Sequence, residues 1–164
     1  MSEFLKDVHV VVAETGADGK PCFVEPGAPA TFVDPGAVEA MYVWGSQGVP
    51  NLADGIGAPP EDMSFPQPGG SKFGIMCFPP NSAGKLSVSK DLAEVDHADA
   101  GMHQSDTIDY EVIISGKVDI VLPGNQRRTL GPGSCLVMGG VMHAWENIYD
   151  EPCIYAAIVI GAHR

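Results

Sequence analysis

The apolar runs of this chain are short, and almost every one ends at a turn signal. Val8 to Val12 leads into Thr15-Gly16-Ala17-Asp18-Gly19 and is followed by Cys22-Phe23-Val24, the pattern of an opening hairpin. Ala40 to Trp44 and Lys72 to Phe78 are further strand candidates, the second stopped by Pro79-Pro80. In the second half, Tyr110 to Ile114 ends at Ser115-Gly116, and Lys117 to Leu122 follows with Val118, Ile120 and Leu122 on one parity. Pro123-Gly124-Asn125-Gln126 turns the chain into Thr129-Leu130, and candidate strands at Cys135 to Met138, Ala144 to Asn147 and Cys153 to Ile160 complete the set. Short strands at spacings of roughly 8–12 residues predict an all-β antiparallel sandwich or barrel. Twenty glycines and 14 prolines, about a fifth of the 164 residues, break the chain too often for a helical bundle.

Only residues 87–100 read as a helix, capped by Ser89, with Leu92 and Val95 on a thin apolar edge and an acidic remainder. Residues 48–71 are rich in Gly, Pro and Asp and are expected to form an irregular surface loop. The expected organisation is one domain over 1–164, with N-terminal strands over 1–47 and a barrel core over 72–164.

Acidic residues outnumber basic ones 21 to 9, a formal charge of −12. Such a surface repels phosphate backbones and anionic lipid, so neither nucleic acid nor a membrane is the expected partner. The first residues lack the basic and apolar regions of a secretory signal, and a cytoplasmic location is expected. Cys22, Cys77, Cys135 and Cys153 stand singly, without a Cys-x-x-Cys pair. They are expected to be reduced residues in or near the core. Phosphate-binding loops and serine-nucleophile elbows are absent from the sequence.

The chemistry-bearing residues cluster in two segments. The first runs from Gly101 to Gly116 and contains His103, Ser105, Asp109 and Glu111; the second runs from Gly131 to Asn147 and contains Gly133, Gly140 and His143. On one straight strand His103 and Asp109 would lie roughly 20 Å apart. Convergence needs a bend near Ser105-Asp106-Thr107, residue types suited to turns and bulges.

These two segments resemble the two-part signature of the cupins. His103 takes the first histidine position, Ser105 the second, Asp109 the glutamate position and Gly116 the closing glycine; Gly133, Gly140, His143 and Asn147 match the second motif. Met138-Gly139-Gly140 replaces the usual proline-containing turn, and the spacing there is one residue shorter. The likeness is greatest to small single-domain cupins with His-x-Ser/Thr-Asp-x-Ile-Asp-Tyr and His-Ala-Trp-x-Asn segments. It implies a jelly-roll barrel, the double-stranded β-helix, with at most one or two short helices, and a homodimer.

For the site, the resemblance implies His103, Asp109 and His143 as both metal ligands and catalytic residues, in a 2-His-1-carboxylate arrangement around Fe, Mn, Ni or Zn. Ser105 stands where a third nitrogen ligand would be. A metal-dependent dioxygenase, isomerase or lyase (decarboxylase type) acting on a small organic molecule is the first expectation. Metal-free His/Asp acid–base chemistry and a non-enzymatic ligand-binding barrel are the alternatives, and an empty metal site is equally open. Ser105, Glu111, Trp145 and Tyr42 are the further residues expected to line the pocket. Ordinary roles stay open beside these: buried, hydrogen-bonded histidines, a turn-stabilising Asp109, a solvated Glu111, and core packing for Trp145 and Tyr42.

Overall fold

The computed structural model describes residues 2–86, 94–95 and 101–164, with 94–95 described for the backbone only. Among the described residues a helical turn, α1 (Glu3–Lys6), precedes thirteen strands, with one 3-10 turn at Leu52–Asp54 in the loop between the fourth and fifth. They are β1 (Val12–Thr15), β2 (Pro21–Val24), β3 (Ala30–Asp34), β4 (Val38–Ser46), β5 (Ser71–Phe78), β6 (Glu94–Val95) and β7 (His103–Gln104). Then come β8 (Thr107–Ser115), β9 (Val118–Leu122), β10 (Gln126–Leu130), β11 (Cys135–Gly139), β12 (Ala144–Glu146) and β13 (Cys153–Gly161). The fold is all-β, as the recurrent short apolar runs predict.

Six strands form one antiparallel sheet in the order β11-β8-β13-β5-β4-β3, and three form a second in the order β10-β9-β12. A bridge between His103 and His143 brings the small β6-β7 ladder alongside β12, extending the second layer. The main core lies between the layers, with Ile113, Val118, Ile120, Met138, Trp145, Cys153, Tyr155 and Val159 all buried in it. A smaller cluster, in which Leu5 of α1 meets Met41, Val43, Cys77 and Ile154, covers the outer side of β4 and β5. No helix among the described residues is long and apolar enough to cross a membrane.

Several sequence expectations shift. The opening hairpin forms, but its first strand starts at Val12 rather than Val8. β3 is an edge strand that the apolar pattern does not mark, because most of its residues are exposed. The helix expected over 87–100 lies outside the described residues, except that Glu94–Val95 pairs as a strand with β7. Of the four cysteines, only Cys77 and Cys153 are buried. Cys22 sits on the two-stranded outlying hairpin and Cys135 on an edge strand, and both are exposed.

Asn147 holds the end of the second motif. Its side chain is fully buried; Nδ2 donates to the carbonyls of Phe78 and Glu151, and Oδ1 accepts from the Tyr149 amide. These three bonds join β5 to the segment after β12 and to the lead-in of β13. Each is worth about 1 kcal/mol, and removing the amide leaves buried backbone groups without partners. Asn147→Ala is therefore expected to lower stability by about 3 kcal/mol, or roughly 6–12 °C in Tm. Denaturant unfolding measures this directly, and a loss below about 1 kcal/mol contradicts it.

Candidate active site

The alternation of β8 is inverted relative to an ordinary half-buried strand. Thr107, Asp109, Glu111 and Ile113 point inward and are buried, while Ile108, Tyr110, Val112 and Ile114 face outward at 39–45% exposure. Side chains two residues apart share one face of a strand, so Asp109 and Glu111 are forced to the inside together. Both line a cavity of about 310 Å³ between the two sheets.

The opposite layer supplies two imidazoles. His103 and His143 are paired across the bridge, each amide donating to the other's carbonyl at 2.8 and 2.9 Å. Directly opposed residues project to the same face, and the two rings stand 4.5 Å apart between centroids at 50°. The same local device orients both rings. Nδ1 of His103 bonds the Gly101 carbonyl at 2.9 Å, and Nδ1 of His143 bonds the Val141 carbonyl at 2.8 Å. A carbonyl only accepts, so each Nδ1 carries the proton and each Nε2 keeps a free lone pair.

The carboxyl groups are poorly satisfied. Thr107 Oγ1 donates to Asp109 Oδ2 at 3.2 Å, and Ser105 Oγ, 2.8 Å from Thr107, completes a short hydroxyl chain. Asp109 Oδ1 and Glu111 Oε2 are buried without a hydrogen-bond partner among the described residues. Asp119 shows the contrast. It is equally buried, but its oxygens are held by Arg127 at 2.9 Å and by Tyr149 at 2.8 Å. Unpaired buried polar oxygens are costly and mark sites where a ligand or a reaction is the missing partner.

Burial dominates the titration of the site. It pushes Glu111 up to about 8, with the neighbouring Asp109 charge adding to the effect. It raises Asp109 to about 6 against the opposing bond from Thr107. Desolvation lowers His143 to about 4, with His103 reinforcing the shift, and lowers His103 in the same direction. At neutral pH burial therefore favours a proton on the carboxyl pair, most strongly on Glu111, and neutral imidazoles.

The remaining wall is apolar and aromatic. Phe78, Trp145 and Tyr155 lie nearly parallel: Phe78 and Tyr155 are 5.6 Å apart at 11°, and Trp145 and Tyr155 are 5.1 Å apart at 24°. Burial raises the Tyr42 and Tyr155 phenols, which stay protonated.

All seven residues singled out from the sequence (His103, Asp109, His143, Ser105, Glu111, Trp145 and Tyr42) line this cavity. Trp145 and Tyr42 also belong to the buried core, so packing and pocket wall are one role here. Among the described residues no three His, Cys, Asp or Glu side chains stand together as a set able to hold a metal ion. The imidazoles belong to the β7–β12 layer, whereas Asp109 belongs to β8 in the other sheet, with its carboxylate turned to Thr107. Sequence reasoning overlooked Thr107, Phe78 and Tyr155. The inward parity of β13, Cys153-Tyr155-Ala157-Val159, carried the signal for Tyr155.

Two antiparallel sheets thus enclose a cavity that takes His103, Asp109 and Glu111 from the first motif and His143 from the second. This is the all-β arrangement that the two-part motif implies. Among solved structures, the barrel is similar to the polyketide cyclase RemF from Streptomyces resistomycificus: 13% identity, 83% of this chain and 76% of that one, TM-score 0.49. It is also similar to a Cupin 2 conserved barrel domain protein from Salinispora arenicola, at 15% identity over 76% of both chains and a TM-score of 0.47. A third is a sugar phosphate isomerase of the cupin superfamily from Silicibacter pomeroyi, at 13% identity, 79% of this chain, 68% of that one and a TM-score of 0.46. No protein-family model matches the chain. Two curated proteins of Diaporthe leptostromiformis, phomopsin biosynthesis cluster proteins C' and D, are 39% identical over 46 residues. That segment is 28% of this chain and only 24% of theirs.

The buried carboxyl of Glu111 predicts a pH-dependent stability. An unfolded Glu111 loses its proton near the ordinary 4.5, whereas the folded one keeps it to about 8. Over that window the native state binds a proton that the unfolded chain has released, so native stability falls as pH rises. Glu111→Gln removes this dependence. Its stability advantage over the native protein should grow between about pH 5 and 8, by on the order of 1.4 kcal/mol per unit at most, and level off above. Paired thermal melts across that range provide the measurement, and a constant difference contradicts it.

Proposed function

We propose that the protein is an enzyme of the isomerase or lyase type that transfers protons on a small organic molecule held in the barrel. The observation that carries this reading is the facing of two donor sets across one cavity. On one side are the unpartnered oxygens of Asp109 and Glu111; on the other are two imidazoles with fixed tautomers and bare Nε2 atoms. Acid–base catalysis needs a group that can give a proton and another that can accept one, held apart in a site that excludes water.

In the simplest step, Nε2 of His103 or His143 takes a proton from a carbon beside a carbonyl. Glu111 gives its carboxyl proton to the carbonyl oxygen, so the C–H bond breaks, an O–H bond forms and the enol results. Returning the proton to a different carbon isomerises the molecule; expelling a β-substituent makes the reaction a lyase step. No oxidant or reductant is consumed. Asp109, steadied by Thr107 and Ser105, balances the charge of the imidazolium formed in the step.

A second reading has its own support. An Nδ1–H tied to a backbone carbonyl with Nε2 left bare is the orientation metal-binding histidines adopt. A divalent ion on His103 and His143, completed by water, would supply Lewis-acid polarisation of the same carbonyl.

One exchange experiment separates the two readings. The uncharged ketone 2-tetralone is incubated with the protein in D₂O containing a chelator, and loss of its α-proton signals is followed by NMR. The acid–base reading expects exchange faster than in buffer, reduced about 100-fold or more by Glu111→Gln or by the His103→Ala/His143→Ala double variant. Exchange that stops in chelator and returns with Fe(II), Mn(II), Ni(II) or Zn(II) supports the metal reading. No exchange under either condition contradicts both.

A further inference from the structure

We propose that the cavity selects uncharged, flat, conjugated molecules of about two fused rings and rejects anions. This rests on the proton-transfer reading of the site but is carried by a different set of residues, the walls. Half of the chain's aromatic residues line the cavity: Phe32, Tyr42, Phe65, Phe78, Trp145 and Tyr155. Phe78, Trp145 and Tyr155 form a slab whose planes differ by 11–29° and whose centroids are 5.1–5.7 Å apart. A slab of that kind is complementary to another π-face in offset stacking, and saturated, puckered rings match it poorly. Met63, Met76 and Met138 fill the wall between the rings with polarisable, adaptable side chains. At about 310 Å³ the volume lies at the lower end of ordinary ligand pockets, room for one small molecule and not for a polymer.

The charge preference follows from what the cavity lacks and what it holds. None of its described lining residues is a lysine or arginine. Among the described residues one buried lysine, Lys72, lies against the Tyr42 ring at 5.4 Å, but its Nζ is bound to the Asp62 carboxylate and carbonyl at 3.1 and 3.0 Å. Two buried carboxyl groups occupy the polar end instead. A ligand carboxylate or phosphate entering there would meet like charge in a low-dielectric site with no counter-ion among the described lining residues, after crossing the field of a chain whose net charge is −12. A neutral phenol or enol hydroxyl, by contrast, can donate a hydrogen bond to Asp109 Oδ1 or Glu111 Oε2. That supplies the partner these buried oxygens lack.

Calorimetric titration of the full chain at neutral pH with three probes of matched skeleton tests this: 2-naphthol, 2-naphthoate and decahydro-2-naphthol. 2-Naphthol is expected to bind, with 2-naphthoate weaker by about 30-fold or more, equivalent to about 2 kcal/mol, and decahydro-2-naphthol weaker by about 10-fold. In the Asp109→Asn/Glu111→Gln double variant the ratio of 2-naphthol to 2-naphthoate affinity should shrink to within a few-fold. Thermal melts of the variant confirm that it is folded. Comparable binding of 2-naphthoate and 2-naphthol by the native protein overturns the charge selection. Comparable binding of decahydro-2-naphthol overturns the demand for flatness, and failure of 2-naphthol to bind overturns the proposal as a whole. Selective 2-naphthol binding without exchange of 2-tetralone leaves this selection standing and removes the proton-transfer reading; exchange without selectivity does the reverse.

Discussion

The burial of two carboxyl groups side by side on β8 is the constraint around which the rest of the barrel is arranged. A strand that turned its apolar residues inward would give a larger hydrophobic core. Here Ile108, Tyr110, Val112 and Ile114 are left on the outer face, so that Thr107, Asp109 and Glu111 can face the cavity. A one-residue change of register would reverse every one of these side chains. β8 is held against such a slip on both sides, by β11 and by the long ladder with β13. The unfavourable desolvation of the carboxyls is thereby fixed into the fold. The same desolvation separates the proton affinities of Glu111 and the imidazoles far enough for one to be an acid and the others bases.

The opposing layer is built for orientation rather than for burial. The His103–His143 pair closes a bridge between the two motifs, and each ring is pinned by the carbonyl two residues before it. Asn147, four residues beyond His143, ties the end of the second motif to β5 and to the lead-in of β13. A site assembled from two sheets depends on such ties, because a displacement of one layer would change the gap across which a proton must move. The rings of Phe78, Trp145 and Tyr155, nearly parallel to one another, form an apolar wall of that gap.

Much of this was legible in the sequence. Short apolar runs closed by Gly, Pro and Asx turns give an all-β barrel, and Val118-Ile120-Leu122 and Cys153-Ile160 mark two of its strands without ambiguity. Both motifs were legible as well, and the side chains singled out from them, His103, Ser105, Asp109, Glu111, His143 and Trp145, lie on the cavity. Whether a metal set forms was not legible: topology brings Asp109 and the two histidines to one cavity, but whether three donors meet at a point depends on side-chain direction, which the motif spacing does not carry. Glu111 was ambiguous because a glutamate two residues from an aspartate reads equally well as a solvated face; only the outward placement of Tyr110 and Val112 decides it. β3 and the Phe78 and Tyr155 part of the aromatic wall were hidden for a simpler reason. An exposed edge strand has no burial pattern, and rings spread over β5, β12 and β13 have no spacing in common until the sheets pair.

The central claim is that the cavity holds a protonated acid opposite neutral bases at neutral pH. The most direct test is an NMR titration of the full chain, with ¹³C-labelled Asp and Glu side-chain carboxyls and ¹⁵N-labelled histidine, in the presence of chelator. The account predicts that Glu111 keeps its proton to about pH 8, while His143 stays neutral, with the proton on Nδ1, down to about pH 4. A Glu111 resonance that titrates in the ordinary carboxylate range, or a His143 that is protonated at neutral pH, would contradict it.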